Sequence, residues 1–181
     1  HGVFDISLLR TLPGLKLFAP CSMEDVKRLV SASMKEEKPV FIRFPKGFLP
    51  PSIEACENQG QTAVLGCGSM AWNSLEACRM IIEKGDNSVS FYPVNAIKPL
   101  PPEALSAIGR CKRIVTVEEN SIVGGFGSAV SEYITDMNLD RKLLRLGLPD
   151  QFIEQGKRAS LLDKYGLSPE RLEKTIGDFS S

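Results

Sequence analysis

A chain of 181 residues with 22 basic and 22 acidic side chains, 43% hydrophobic and 24% charged, has the composition of a folded globular protein and not of a disordered or fibrous one. The charge is too even for the basic stripe of a nucleic-acid binder, and no apolar run approaches the roughly 20 residues that cross a bilayer, so neither nucleic acid nor membrane is an expected partner. Cys21, Cys56, Cys67, Cys78 and Cys111 stand far apart with no CxxC pair, and His1 is the only histidine. This predicts free thiols in a reducing cytoplasm, with neither a disulfide framework nor a His/Cys metal site.

The chain opens His-Gly, without methionine, and passes at once into a helical pattern. That predicts a piece of a longer polypeptide; a tag remnant before a natural start is the alternative. Phe4, Ile6, Leu8 and Leu9 make a short amphipathic helix that Pro13-Gly14 must end. Residues 15–18 read as a strand. Ser22 is a good N-cap, with Glu24 and Asp25 in the first turn, and the helix it starts runs to about Lys38, with Val26, Leu29, Val30 and Met34 on one face. Residues 40–44 are extended and closed by Pro45-Lys46-Gly47. This β-α-β segment is too small to bury its own faces, so residues 1–48 read as the end of a larger α/β domain. Residues 49–60 contain Pro50-Pro51 and no period, and read as a linker.

From residue 61 to 181, strands at 62–65, 88–94, 114–117 and 142–146 alternate with helices at 69–83, 102–109, 128–137 and 168–178. Ser168 caps the last helix, with Pro169 at its first position. The fold class is therefore α/β: a three-layer αβα unit around a mostly parallel sheet.

Two glycine turns invite a functional reading. Gly66-Cys67-Gly68-Ser69-Met70-Ala71 follows a strand and opens a helix, matching G-x-G-x-x-A. A dinucleotide site also wants an acid at the end of the next strand. That strand ends Pro93-Val94-Asn95, which leaves a structural strand-to-helix turn as the competing reading. The second turn, VTVEENSIVGGFGSAVSEY (115–133), runs from a strand through Glu118-Glu119 and Gly124, Gly125 and Gly127 into a helix. A helix N-terminus can cradle a phosphate, but paired carboxylates would repel one. The carboxylates could instead serve as acid and base, or hold the loop's own amides while the glycines supply positive-φ positions and close helix–sheet approach. The residues favour the structural role. No serine or cysteine nucleophile has a histidine partner beyond His1.

Five stretches in order, HGVFDISLLRTLPGLKLFAP, IRFPKG, IKPL, VTVEEN with GGFGSAV, and GLPDQFIEQG, cover nearly the whole chain. Together they resemble the C-terminal third of 1-deoxy-D-xylulose-5-phosphate synthases, thiamine-diphosphate enzymes of the transketolase group. The resemblance implies that residues 1–48 end a pyrimidine-binding domain and that residues 61–181 form a transketolase C-terminal domain, its mixed sheet usually carrying one antiparallel edge strand. It further implies a homodimeric parent that condenses pyruvate with glyceraldehyde 3-phosphate, releases carbon dioxide, and uses thiamine diphosphate and magnesium. The diphosphate and magnesium motif and the cofactor-activating glutamate belong to N-terminal domains outside this chain. In the family's T-H-[HQ]-G motif His1 falls on the [HQ] position, so the functional histidine would lie one residue upstream. The resemblance thus implies no catalytic residue and no bound cofactor or metal in this chain, whose partners would be the missing domains.

One substrate motif is carried over. The family's R-[YF]-P-R-G loop reads Arg43-Phe44-Pro45-Lys46-Gly47 here, so the resemblance implies Lys46 and Arg43 as phosphate-binding residues, with Lys46 in the position that resembles a phosphate clamp. Lysine neutralises a phosphate as a point charge, without the fork of arginine. A second departure is Asn95, where the stretch before IKPL often has arginine. The alternatives are the C-terminal subunit of a split transketolase, a 2-oxoacid dehydrogenase E1 β subunit, or a non-enzymatic docking domain.

Overall fold

The structure, a computed structural model, describes residues 2–58 and 60–181; His1, the [HQ] position of the motif above, lies outside the described residues. In chain order the elements are α1 (Asp5–Leu9), β1 (Lys16–Phe18), α2 (Met23–Ser33), β2 (Val40–Ile42), β3 (Thr62–Cys67), α3 (Met70–Glu83), β4 (Val89–Val94), β5 (Ala96–Lys98), α4 (Pro102–Arg110), β6 (Arg113–Ser121), α5 (Phe126–Asp136), β7 (Lys142–Leu148), α6 (Arg158–Lys164) and α7 (Pro169–Ser180).

The larger sheet has strand order β4-β3-β6-β7 and is parallel throughout. Every residue of β3 is buried, because helices cover both faces. Alternation along β3 and β6 sorts the side chains. Ala63, Leu65 and Ile114 face α4 and α5 (Ala104, Ile108, Phe126, Val130), whereas Val64, Val115 and Val117 face α3 and α7 (Met70, Leu75, Ile81, Leu172, Ile176). Each such large apolar side chain, fully buried, stabilises the fold by roughly 1.5–3 kcal/mol. The architecture is the three-layer α/β expected.

The smaller sheet, order β2-β1-β5, shows how the N-terminal segment buries its faces. β1 pairs in parallel with β2 and antiparallel with β5, which comes from about 80 residues downstream. The resemblance implied an antiparallel edge strand in the larger sheet. Instead, among the described residues, that sheet has one antiparallel bridge, from Cys56 to Phe91, and the antiparallel strand serves the other sheet. A single residue, Asn95, separates β4 from β5, so the chain passes directly from one sheet into the other. α2 stops at Ser33, a turn short of the expected Lys38, because Lys35, Glu36, Glu37 and Lys38 offer nothing apolar to hold against the sheet.

Further bonds tie the two units. Lys98 Nζ donates to the carbonyls of Arg10 (2.8 Å) and Leu12 (2.6 Å), capping the end of α1. Arg10 grips Glu132 through both terminal nitrogens (2.7 and 2.6 Å) and donates Nε to the Gly124 carbonyl (2.9 Å). Residues 49–58 run between the units as a packed strap: Leu49 and Pro50 are buried, Pro50 O accepts from Met23 N (2.9 Å), and Asn58 Nδ2 donates to Val89 O (3.0 Å).

Candidate functional site

The second glycine turn is closed by its own protein. β6 continues past Val117 to Ser121, which turns Glu118 inward to 1% exposure. Its Oε2 accepts the Phe126 N–H at 2.7 Å and its Oε1 the Gly127 N–H at 2.8 Å. These are the first amides of α5, the unpaired donors that a helix N-terminus offers to an anion. The glycines permit the approach. A Cβ on Gly125 would lie 2.1 Å from Glu118 Oε2, one on Gly127 would lie 2.7 Å from Thr116 Oγ1, and Gly124 sits at φ +72°. Burial pushes the Glu118 carboxyl up to about 7, against the pull of those two amides and of the Arg145 and Arg10 charges. The Glu118 carboxyl thus sits on the first two amides of α5, where a bound phosphate would have to be.

The first glycine turn is also filled. A Cβ on Gly66 would lie 2.8 Å from Ala71 Cα, and Gly68 (φ +55°) meets the Ala19 methyl of the N-terminal unit, 2.9 Å from where its own Cβ would be. The space a pyrophosphate would take over this turn is occupied by Ala19. The glycines serve close strand–helix packing.

A cleft of about 520 Å³ remains, in the range of small-molecule sites. It opens where the carboxyl ends of β2, β3, β6 and β7 converge. In the larger sheet α3 carries the chain from β3 to one side and α5 carries it from β6 to the other, so the strand order reverses between β3 and β6. The crevice outside such a reversal is where open α/β sheets bind ligands. Arg43, Lys46, Ser69, Glu119 and Arg158 line it, with Val3, Leu148, Ile153, Leu161 and Leu162 as apolar wall.

Of the residues singled out in the sequence, Arg43, Lys46 and Glu119 meet in this cleft, whereas Glu118 and the three glycines lie behind it. Arg43 is part of the frame: its Nε donates to Asp5 (2.9 and 3.1 Å), and its Nη2 to the carbonyls of Gly2 and Glu119 (both 3.0 Å). Lys46 has no ion pair among the described residues. Glu119 accepts from Ser69 Oγ (2.7 Å) and, on both oxygens, from Arg158 Nε (2.7 Å) and Nη2 (2.6 Å). Burial works to raise its carboxyl, but the Arg158 bonds and charge, with Ser69 and Arg43, outweigh it and hold the group below the usual carboxylate range. An acid so bound stays ionised and is a poor proton acceptor. Asn95 lies elsewhere, donating to Asp25 Oδ1 at 2.7 Å.

Sequence reasoning missed Asp5, Ser69 and Arg158. Asp5 and Arg43 are 38 residues apart, and Arg158 lies 39 residues beyond Glu119; no local pattern joins either pair. Among the described residues no cluster of His, Cys, Asp or Glu could hold a metal ion, and no helix is long and apolar enough to cross a membrane.

Residues 54–172 match the family model for the transketolase C-terminal domain, and residues 1–51 that for the transketolase pyrimidine-binding domain. Curated relatives include the 1-deoxy-D-xylulose-5-phosphate synthases of Symbiobacterium thermophilum, 33% identical over 94% of this chain and 28% of the relative, and of Caldanaerobacter subterraneus, 36% identical over 97% and 30%. The chain therefore spans just under a third of the length of these relatives. Among solved structures, one titled a split gene transketolase, inactive beta4 tetramer, superposes with a TM-score of 0.82 at 27% identity, covering 97% of this chain and 61% of that one. The transketolase of Campylobacter jejuni, at 16% identity, shares the fold with a TM-score of 0.69 over 96% of this chain and 28% of that one. The chain belongs to the transketolase family, whose C-terminal domain it carries behind a segment matching the pyrimidine-binding domain.

Proposed function

We propose that this chain is the C-terminal part of a 1-deoxy-D-xylulose-5-phosphate synthase, a homodimeric enzyme that condenses pyruvate with glyceraldehyde 3-phosphate and releases carbon dioxide. In this reading residues 1–48 end the pyrimidine-binding domain, residues 61–181 form the C-terminal domain, and the chain alone is inactive. The observation that carries the reading is the cleft, where Lys46 of the R-F-P-K-G loop faces the carboxyl ends of both sheets without an ionic partner among the described residues. The ammonium group neutralises the substrate's phosphate, and the apolar wall lowers the local dielectric and strengthens that attraction. Arg43, already spoken for by Asp5, adds positive potential and fixes the loop.

The residues present do not fit thiamine diphosphate and magnesium. Glu118 takes the first two α5 amides and Ala19 packs on the other glycine turn, so neither glycine turn offers a diphosphate a cradle. Both cofactors of the whole enzyme would be held by its other domains. Titration calorimetry of this chain with thiamine diphosphate and magnesium should give no saturable heat; micromolar binding would overturn this assignment.

The main test uses enzyme completed with the missing domains. Lys46→Ala should raise KM for glyceraldehyde 3-phosphate roughly tenfold or more, the size of one lost charge-assisted contact, and leave KM for pyruvate nearly unchanged. Equal effects on both substrates would remove Lys46 from the phosphate role. A second reading, the C-terminal subunit of a split transketolase, draws on the 27% identical split-gene structure. It predicts that this chain self-associates, is inactive alone, and gains activity with a separately encoded N-terminal subunit and sugar-phosphate acceptors other than glyceraldehyde 3-phosphate.

A further inference from the structure

Lys46 alone supplies a single positive charge, half of what a dianionic phosphate carries. Two arginines line the same cleft, and both bond Glu119. Arg43, at the end of β2, donates Nη2 to the Glu119 backbone carbonyl, and Arg158, the first residue of α6, holds the Glu119 carboxylate through Nε and Nη2. A guanidinium has five N–H donors in one plane, and a bidentate grip through Nε and Nη2 uses only one edge. Neither arginine bonds through Nη1 among the described residues.

The two differ in freedom. The Arg43 side chain is 15% exposed and committed to Asp5 and two carbonyls, whereas that of Arg158 is 48% exposed and has Glu119 as its one hydrogen-bonding partner among the described residues. Glu119 is itself anchored by Ser69 Oγ, so the acid is a fixed post and the arginine a cation held on it. The two other acids lining the cleft are also answered, Asp5 by Arg43 and Glu154 by Lys164, which itself does not line the cleft.

Building on the phosphate reading of the cleft, we propose that Arg158 is its second phosphate-binding group. Glu119 is the positioning residue that fixes the Nε–Nη2 edge of Arg158 and leaves the Nη1 edge for the ligand. Lys46 approaches from the N-terminal unit and Arg158 from the C-terminal domain, so the site is complete only with both units in place. The ligand class is a phosphomonoester on a short carbon chain, its phosphate between the two cations and its carbon skeleton along Leu148, Ile153 and Leu161.

The test is titration of this chain with glycerol 3-phosphate and with inorganic phosphate, followed by phosphorus NMR, with glycerol as control. Wild type should bind both phosphates and not glycerol. Arg158→Gln and Lys46→Ala should each weaken binding roughly fivefold or more, and Arg158→Lys, which keeps the charge but not the fork, should recover part of the loss. If Arg158→Gln binds as wild type while Lys46→Ala does not, the Arg158 assignment falls and the Lys46 reading stands. If wild type binds neither phosphate, or neither variant weakens binding, both fall. Loss in Arg158→Gln with a lowered Tm and no recovery in Arg158→Lys would mark a structural role and also overturn the proposal.

Discussion

Gly125→Ala should destabilise this chain by on the order of 3–5 kcal/mol, whereas Gly177→Ala should stabilise it by roughly 0.5–1 kcal/mol. At position 125 the new methyl would lie 2.1 Å from Glu118 Oε2 and 2.7 Å from the Ser121 carbonyl. One contact is backbone and the other is a carboxylate bonded to two amides, so neither can yield cheaply. Overpacking alone costs about 1–3 kcal/mol. Displacing the carboxylate adds the loss of its hydrogen bonds at a buried helix end, about 1–3 kcal/mol more. Gly177, in α7, has no atom within 4 Å of an added Cβ and no positive φ, so alanine there gains only helix propensity. Urea unfolding followed by circular dichroism reads both. Against a total stability of about 5–15 kcal/mol the first change is a large fraction. A Gly125→Ala midpoint corresponding to less than about 1 kcal/mol would refute the Glu118–α5 contact as described.

The elements readable from the sequence are those whose burial writes a pattern into neighbouring residues. β3, β4 and the first half of β6 are largely apolar runs because helices cover both faces, and Leu75, Cys78 and Ile81 of α3 recur at helical spacing because one face packs on the sheet. What stayed hidden depends on distant partners. β5 has three residues beside prolines and is a strand only because β1 lies next to it. α6 has seven residues and buries Leu162 alone, too little for a period to show. β6 reads as ending at Val117 because two acids follow, and a charge inside a sheet is costly unless something answers it. The answer for Glu118 lies eight and nine residues on, in amides that side-chain chemistry does not reveal. The site divides the same way: the Arg43 and Lys46 loop is a short motif, but the Arg158–Glu119–Ser69 chain spans three elements and is visible only once they are folded together.

The stability of the wild-type chain should fall as pH rises from 5 to 8, and Glu118→Gln should remove most of that fall. The Glu118 carboxyl is raised to about 7 by burial, against an ordinary value near 4.5 in the unfolded chain. Between these values the folded state holds a proton that the unfolded state has released, so folding weakens as pH increases. The contribution is fully present below about pH 4.5 and is lost as pH passes through about 7, a difference of roughly 2–4 kcal/mol for a shift of this size. Glutamine cannot ionise, but its amide NH₂ must face the Phe126 or Gly127 N–H, one donor against another, which costs roughly 1–3 kcal/mol at any pH. The variant should therefore be clearly less stable than wild type at pH 5, with the gap closing or reversing by pH 8. The positive charges of Arg145 and Arg10 nearby pull the Glu118 midpoint down against burial. Denaturant unfolding of both proteins at half-unit steps gives the comparison. Parallel profiles would show that Glu118 is ionised throughout, with the α5 amides and the two arginines outweighing burial.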